Sequence, residues 1–495
     1  MSSFEHHLNL QSLAQHVTFT NTVASIVGLV VLRRLLLVVY ALFLDPLRDV
    51  PGPFLARFTR LWELREALSG TIVQTLLNLH KKHAYANAVA GPVIRIAPNM
   101  YSFSQPDDCK IIYTTSVNKA FTKTHFYNTN GDPKMPNIFN MKDEKVHSQR
   151  KRSLASLYNM STMVHYEEAV NTMNSILVRK FDQYAATNQE LALPAFMQYY
   201  AFDVNNEFGM MEKEGDVDDF IDFTRQAVLY MAFVGLFPEL HPLFLWLNKV
   251  RGVRHAGTAI VSIARASIEK ALGGEGRDTN VAKSDAFHSK LARLLRSEQI
   301  NHIEATDSIG SNIAAGSDTT AITLSAAFYY IYRNPEVLAK LRSEIDQRSD
   351  PVTFEQSQTM PYLQAVINET LRIHPAVGYA LRREVPAGGT VLAGRQFPGG
   401  THVGVSGWVL HQNESVSGPD AGLFRPERWL EDASKGNAKT AMSFAVIPQI
   451  IRKFDLIFDE NPWELNCHWF VWPQYKVRIQ LRHKDEAVDK HEVLS

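Results

Sequence analysis

Three side chains able to bind ligands or transfer protons lie together inside an apolar helical pattern. Asp318, Thr319 and Thr320 follow Gly316, and apolar residues recur at helical spacing from 313 to 331. A glycine inside a helix costs about 1 kcal/mol relative to alanine, and threonine hydroxyls can bond back to helical carbonyl groups. The stretch is therefore either a kinked core helix with satisfied polar groups or a helix opened by Gly316 over a flat cofactor. In the second interpretation Asp318 and Thr319 form a proton relay beside a bound small molecule.

A second group of charged residues occurs about fifty residues further along the chain. Glu369 and Arg372, in NETLRIHP, share one face of a predicted helix because they are three residues apart. Most such pairs are solvated, but apolar neighbours such as Val366 and Ile367 favour partial burial here. Since a buried ion pair needs further hydrogen bonds, Arg428 in FRPERWL is the candidate that completes a network of three charges.

The composition of the chain limits which partners it can bind and which cellular compartment it occupies. The chain of 495 residues carries 51 basic and 51 acidic side chains, so its net charge gives no general attraction to nucleic acid. Its two cysteines, Cys109 and Cys467, are far apart in the sequence and cannot form a disulfide framework. These features predict no nucleic-acid partner and a reducing, cytosol-facing compartment.

The N-terminal segment has the composition of a membrane anchor. Residues 22–44 are apolar except for Arg33 and Arg34, and a helix of this length spans roughly 34 Å, enough for a bilayer core. Placing 17–32 in the bilayer leaves both arginines on the cytoplasmic flank. A buried helix and a cleaved signal peptide are the alternatives, although no small-residue cleavage site follows. The proline-rich hinge after residue 44 divides an anchor region, 1–44, from one catalytic globule, 45–495.

The globule is predicted to be mainly α-helical with small β-sheets. Long amphipathic stretches such as EVLAKLRSEIDQ dominate, whereas strand patterns such as VIRIAP, YKVRIQL and THVGVSGWVL are the minority. The apolar, aromatic region 228–247 is expected to belong to the core. Its alternative is a lid at a substrate entrance or at the membrane surface.

The order of these motifs resembles that of the cytochrome P-450 haem-thiolate monooxygenases. A-G-x-D-T-T, then E-x-x-R, then P-E-R occur at the family's spacing, and the resemblance runs from the proline hinge to the C-terminal strands. DPLRDVPGPFLARFTRLWE and SLYNMS are most similar to the membrane-anchored fungal branch that acts in secondary-metabolite biosynthesis. The resemblance implies the P-450 fold and a haem cofactor that contains iron.

The resemblance also implies roles for individual residues. The haem and oxygen groove would be formed by Ala315, Gly316 and Thr320. Asp318 and Thr319 would be the catalytic residues that deliver protons there.

Two further sets of residues are carried over in the same way. Glu369, Arg372 and Arg428 would form the buried charge network that holds the proximal side of the haem site in shape. The haem propionates would be bound by Arg150 or Lys151 and by Arg383, with Arg152 and Arg382 as neighbouring alternatives.

The chain departs from the family pattern at the axial iron ligand. After P-E-R the family carries a phenylalanine, a glycine-rich turn, an arginine and the cysteine whose thiolate binds iron. Here Phe444 and Ala445 lead directly into VIPQIIRKFDLIF. By comparison, about twenty residues are missing, and with them the axial ligand and part of the following helix. Neither Cys109 nor Cys467 has the family spacing, and no histidine is carried as a ligand, so no metal ligand is assigned.

A second shortening, in FDVNNEFGMMEKEGDVDDF, accompanies this gap. Two clean internal gaps suggest altered splicing or a wrongly assembled gene, which sequencing the transcript across Phe444 to Val446 would test. The leading interpretation is a monooxygenase that oxidises an apolar small molecule with O₂ and electrons from an NADPH-cytochrome reductase. Its anchor would hold it at the endoplasmic reticulum membrane, with the catalytic domain in the cytosol. The alternatives are a catalytically impaired isoform that binds substrate or a partner without turnover, and a membrane-tethered scaffold.

Overall fold

The computed structural model describes most of the chain in atomic detail. The described residues are 21–22, 24–86, 92–114, 121–130, 136–159, 162, 164–206, 208–252, 256–274, 287–431 and 442–482.

Helices make up most of the described chain. In chain order they are α1 (Ala24–Leu44), α2 (Leu61–Ser69), α3 (Ile72–Ala86), α4 (Pro106–Ile112), α5 (Glu144–Leu154), α6 (Glu167–Thr187), α7 (Leu193–Asn206), α8 (Met210–Lys213), α9 (Phe220–Val234), α10 (His241–Val250), α11 (Ala256–Gly274), α12 (Phe287–Arg296), α13 (His302–Arg333), α14 (Pro335–Asp346), α15 (Phe354–Gln358), α16 (Pro361–Ile373), α17 (Gly407–His411), α18 (Glu414–Ser417), α19 (Arg428–Glu431) and α20 (Val446–Lys453).

The described strands are short and form four small sheets. They are β1 (Val93–Ala97), β2 (Met100–Phe103), β3 (Thr122–Lys123), β4 (Glu190–Leu191), β5 (Arg383–Glu384), β6 (Thr390–Leu392), β7 (Arg395–Phe397), β8 (His402–Val405), β9 (Phe454–Phe458), β10 (Glu464–Cys467), β11 (Val471–Gln474) and β12 (Val477–Leu481). The sheet orders are β1-β2-β8-β5-β3, β4-β12-β9, β6-β7 and β10-β11. The prediction of a mainly helical chain with small sheets is confirmed.

The longest helix of the globule, α13, is continuous through the stretch where opening was considered. Its N-terminus is a capping box in which the Asn301 side chain and Glu304 each bond to the other's backbone amide. The Thr319 hydroxyl donates to the carbonyl oxygen of Ala315 at 2.8 Å without interrupting the helix. Of the two interpretations, the described helix matches the one with satisfied polar groups, because α13 continues through Gly316 and accommodates the Thr319 bond.

The main apolar core surrounds α13 and connects it to the C-terminal helix. It includes Leu324 and Phe328 of α13, Leu363 and Ile367 of α16, and Ile450 of α20, all nearly inaccessible to solvent. The packing holds the helix carrying Asp318 and Thr319 against the helix carrying Glu369 and Arg372. The two sequence motifs are thereby placed on neighbouring elements of one core.

The N-terminal helix extends away from this core. Helix α1 has a mean hydropathy of 2.3, and only 6% of its most apolar window is buried, as expected for an anchor. It is followed by Asp45, which forms a buried ion pair with Arg95 of β1 at 2.6 Å. This ion pair therefore fixes the chain to the globule immediately after the apolar helix ends.

The aromatic region 228–247 divides into a packed part and an exposed part. Helix α9 buries Met231 and Ala232, whereas α10 exposes Leu243 and Trp246. The two helices meet at 116°. The prediction that the whole region is core is wrong for α10, because the sharp bend turns its apolar side chains outward.

Candidate functional site

The motif residues of α13 differ in their exposure to solvent. Ala315 and Thr319 are four residues apart and share one face, whereas Asp318 leaves the helix about 100° away from Thr319. Ala315 is exposed, and Gly316, Thr319 and Thr320 are partly exposed, although they lie at the middle of a buried helix. We call this accessible surface the groove face, and it is the surface expected to meet the haem.

Asp318, which precedes Thr319, is the buried residue of this motif. Its carboxylate is 3% exposed and accepts a hydrogen bond from the Gln198 side chain of α7 at 2.8 Å. Burial raises the pKa of Asp318 to about 6, although the Gln198 bond and the charge of Arg225 act in the opposite direction. The joint action of Asp318 and Thr319 in proton delivery stays a prediction, with Asp318 as the buried member of the pair.

Glu369 is the centre of a fully buried polar network. Both of its carboxylate oxygens accept hydrogen bonds from Arg372, at 2.8 Å each, and Arg428 donates at 3.0 Å. The Arg425 backbone amide and the Trp429 indole complete the set at 2.8 and 2.9 Å. Burial acts to raise the pKa of Glu369, but the Arg372 bonds and charge outweigh burial and lower it below its ordinary value.

The two arginines extend this network to the part of the chain between residues 411 and 423. Arg372 donates to the carbonyl oxygens of His411, Ala421 and Leu423, at 2.9, 2.7 and 3.0 Å. Arg428 also bonds the side chain of Asp420 at 3.1 Å. The three residues expected to form a charge network are therefore in contact, and they tie α16 and α19 to the segment between them.

The cations proposed for the propionates have different surroundings. Arg150 lies 3.5 Å from Glu304 and 3.6 Å from Asp307, so acids of α13 already balance its charge. Lys151 is exposed. Arg383 is half-buried and donates to the Tyr127 hydroxyl at 3.2 Å. Of the three, Arg383 is partly buried and forms no ion pair with any described acidic residue.

Lys123 is a further buried cation that sequence reasoning missed. It lies opposite Arg383 in the β3–β5 pair, and its ammonium donates only to the carbonyl oxygens of Ile138 and Phe139 among the described residues. Burial, helped by the Arg383 charge, lowers the pKa of Lys123 to about 8. The sequence signal was the lysine in FTK, but the strand pairing that brings it to Arg383 joins segments far apart in the chain.

Neither cysteine has the surroundings of an iron ligand. Cys467 is 2% exposed in β10, and burial raises the pKa of its thiol to about 12. A Cβ atom added to Gly378 would lie 2.4 Å from its sulfur, so the thiol fills a space in the core. Burial also raises the pKa of the Cys109 thiol in α4. Because metals bind the thiolate, both sites oppose ligation.

The segment where the axial turn was expected is a direct connection into α20. Met442–Ala445 form one 3₁₀ turn, and Phe444 and Ala445 are buried in the main core. In the part of the chain that the structure describes, no group of three His, Cys, Asp or Glu residues could hold a metal ion. The two cysteines of the sequence, Cys109 and Cys467, both lie outside this connection, and the absence of an axial ligand stays a prediction.

Comparison with known proteins identifies the family. The sequence profile of the family Cytochrome P-450 matches residues 63–449, so the chain belongs to the cytochrome P-450 family and is an oxidoreductase of that class. A pisatin demethylase of Fusarium vanettenii is 37% identical, and the alignment covers 92% of this chain and 94% of the relative. A cytochrome P-450 monooxygenase of Emericella nidulans, cicH, is 29% identical, with 88% and 94% covered.

These alignments also contain gaps in this chain. The comparison with the Fusarium protein runs over 486 positions but uses 92% of this chain, which has 495 residues, so some positions have no counterpart here. The relative therefore carries internal residues that this chain lacks.

The Glu369 network generates a stability prediction. Replacing Glu369 with Gln removes the charge that balances two buried guanidinium groups, so we expect the free energy of unfolding to fall by about 3–5 kcal/mol. Denaturant unfolding of the full chain in detergent measures the change. Asp107→Asn is the control, since the Asp107–Lys110 pair is 89% and 76% exposed and should contribute under about 1 kcal/mol. Equal effects of the two substitutions would contradict the assignment of a buried network.

Asp318 generates a pH-dependent prediction. Its raised pKa means that ionisation destabilises the folded protein above about pH 6 and that this penalty disappears as the pH falls towards 4. Asp318→Asn keeps an acceptor for Gln198 but cannot ionise. We expect the variant to be more stable than the natural protein at pH 8, by on the order of 2 kcal/mol, and equally stable near pH 4. A difference that stays constant between these pH values would show that burial does not control this carboxyl.

Proposed function

We propose that this chain comes from a line of membrane-anchored monooxygenases that oxidise an apolar small molecule of secondary metabolism with O₂ and electrons from an NADPH-cytochrome reductase, an activity that a form with the cysteine ligand would have. The observation that carries the proposal is the accessible groove face of α13, held above the buried Glu369 network in a chain of this family. Thr319 and its neighbours Ala315, Gly316 and Thr320 would contact the bound cofactor and substrate there.

The proposed division of the chain follows from its N-terminal helix. Residues 1–44 would be a single-pass anchor in the endoplasmic reticulum membrane, and 45–495 the catalytic domain on the cytosolic side. The mean hydropathy of 2.3 for α1 and the ion pair of Asp45 with Arg95 at its end support this division.

Haem is the cofactor that family membership implies, and it would supply the oxygen chemistry when bound. Arg383 and Lys123 would meet its carboxylates, because both are at least partly buried and neither forms an ion pair with a described acidic residue. Neither cysteine is well suited to bind the iron, because the thiol of Cys467 is packed into the core and Cys109 lies in α4.

That absence of a suitable thiol supports a second function for this particular sequence. The chain would be an impaired form that binds its small molecule, or pairs with a complete relative, without turnover. The burial of Phe444 and Ala445 further supports the impaired form, because the direct connection into α20 still packs against the main core.

Inserting a segment from a relative into this chain distinguishes the two proposed functions. A segment of the Fusarium pisatin demethylase that carries the cysteine ligand implied by the family is inserted after Ala445, and the natural and the grafted proteins are each expressed in microsomes with a reductase. Pisatin is the first compound tested, because two relatives are named for its demethylation. We expect NADPH-dependent oxidation of an apolar compound only with the graft.

The graft with Ala in place of its cysteine is the matched control and should be inactive. Oxidation by the ungrafted chain at the rate of the grafted protein would refute the impaired form. A grafted protein that binds haem but oxidises no apolar compound would argue against the proposed monooxygenase.

A further inference from the structure

The interface between α7 and α13 contains a buried polar pair. Gln198 of α7 donates from its amide nitrogen Nε2 to the Oδ1 oxygen of Asp318 at 2.8 Å, and the two residues are 5% and 3% exposed. They are 120 positions apart in the sequence, so the contact exists only in the folded chain. Any change in the charge of Asp318 must therefore be accommodated by Gln198.

Apolar packing fixes the position of Gln198. Its neighbours Met197 and Tyr200 in α7 are inaccessible to solvent and belong to the main core, together with Phe328 of α13. The Tyr200 hydroxyl also donates to the side chain of Asn174 in α6 at 2.8 Å. Because α7 is held on both sides of Gln198, its amide group stays within hydrogen-bonding distance of Asp318.

A glutamine amide suits an acid that changes its protonation state. The ionised carboxyl group of Asp318 accepts from Nε2, whereas the protonated group has an O–H that the amide oxygen Oε1 of Gln198 can accept. Turning the amide plane by 180° exchanges Nε2 and Oε1 without changing the shape of the side chain. A lysine or arginine at this place could only donate and would favour the ionised carboxyl group alone.

The surroundings of Asp318 leave both of its protonation states accessible near neutral pH. Burial raises the pKa of Asp318 to about 6, although the Gln198 bond and the charge of Arg225 in α9 act in the opposite direction. With this pKa, roughly one carboxyl group in ten is protonated at pH 7. The other charged or titratable side chains that line the cavity beside Asp318 are Arg333, Asp459, Glu464, His468 and Lys476.

We propose that Gln198 is a positioning residue for proton delivery, which holds the carboxyl group of Asp318 against α7 in both of its protonation states. Gln198 would act through Asp318 and would not touch the substrate. This inference rests on the proposed function, because Asp318 is expected to deliver protons only in a form that oxidises its substrate.

The experiment compares Gln198→Met with Gln364→Met in the full chain in detergent. Methionine keeps the length of the side chain and removes the donor. Gln364 is a matched control, since it is also 5% exposed and donates to the carbonyl oxygen of Ser357 at 2.8 Å. In each background the free energy of unfolding is measured from pH 4 to pH 9 with Asp318 and with Asp318→Asn. The difference between the two reports the ionisation of Asp318.

We expect Gln198→Met to lower the ionisation constant of Asp318 about tenfold, because a hydrogen bond to the ionised carboxyl group is lost. A carboxyl group with a raised pKa destabilises the folded chain increasingly until the pH passes that pKa, so this limit should move upwards by about one pH unit. Gln364→Met should leave the limit unchanged. Gln198→Glu places a second acid beside Asp318 and should also move the limit upwards, which keeps the test decisive if Gln198→Met does not fold.

The grafted protein gives a second readout. The pH dependence of its oxidation rate should move upwards with Gln198→Met and stay in place with Gln364→Met. A shifted unfolding curve with an unchanged pH dependence of oxidation would overturn the part of Gln198 in proton delivery.

Equal shifts of the unfolding curve in Gln198→Met and Gln364→Met, or no shift in either Gln198 variant, would overturn the positioning role and leave the proposed function intact. A grafted protein that binds haem and oxidises no apolar compound would instead refute the proposed function itself, whatever the unfolding curves show.

Discussion

The carboxylate of Glu369 is completely buried, and the surrounding structure is arranged to satisfy it. Two guanidinium groups, an indole and a backbone amide donate to it, and the same guanidinium groups bond carbonyl oxygens of the segment that follows α17. A buried charge without such partners costs several kcal/mol, so these elements can move only together. Polar contacts, as well as the apolar core, therefore hold α16, α19 and the segment between α17 and α19 together. This arrangement is formed without the axial turn.

Residues of one short motif in α13 have different surroundings. The groove face is accessible around Ala315 and Thr319, whereas Asp318 is buried and accepts a hydrogen bond from Gln198 of α7. The motif therefore offers an accessible surface and a buried carboxyl group from adjacent positions of one helix.

Local patterns in the sequence predicted the helical features of the site, whereas contacts between residues far apart in the chain could not be predicted. The pairing of Glu369 with Arg372 follows from helical spacing, and the apolar period of α13 was readable from residues 313 to 331. The bond from Gln198 to Asp318 spans 120 residues, and the Lys123–Arg383 pair joins two distant strands, so no local pattern could reveal either. The exposed apolar face of α10 was missed for a related reason, because hydropathy reports composition and not the 116° bend that turns this helix outward.

The central claim is that this chain keeps the walls of a haem site but has no thiolate for the iron. The most direct test is the ratio of haem to protein in the desalted full-length chain, together with its spectrum when reduced under carbon monoxide. We predict far less than one haem per chain and no thiolate-type shift, both unchanged by Cys467→Ser. One haem per chain with a thiolate-type spectrum that Cys467→Ser abolishes would contradict the account and identify Cys467 as the ligand.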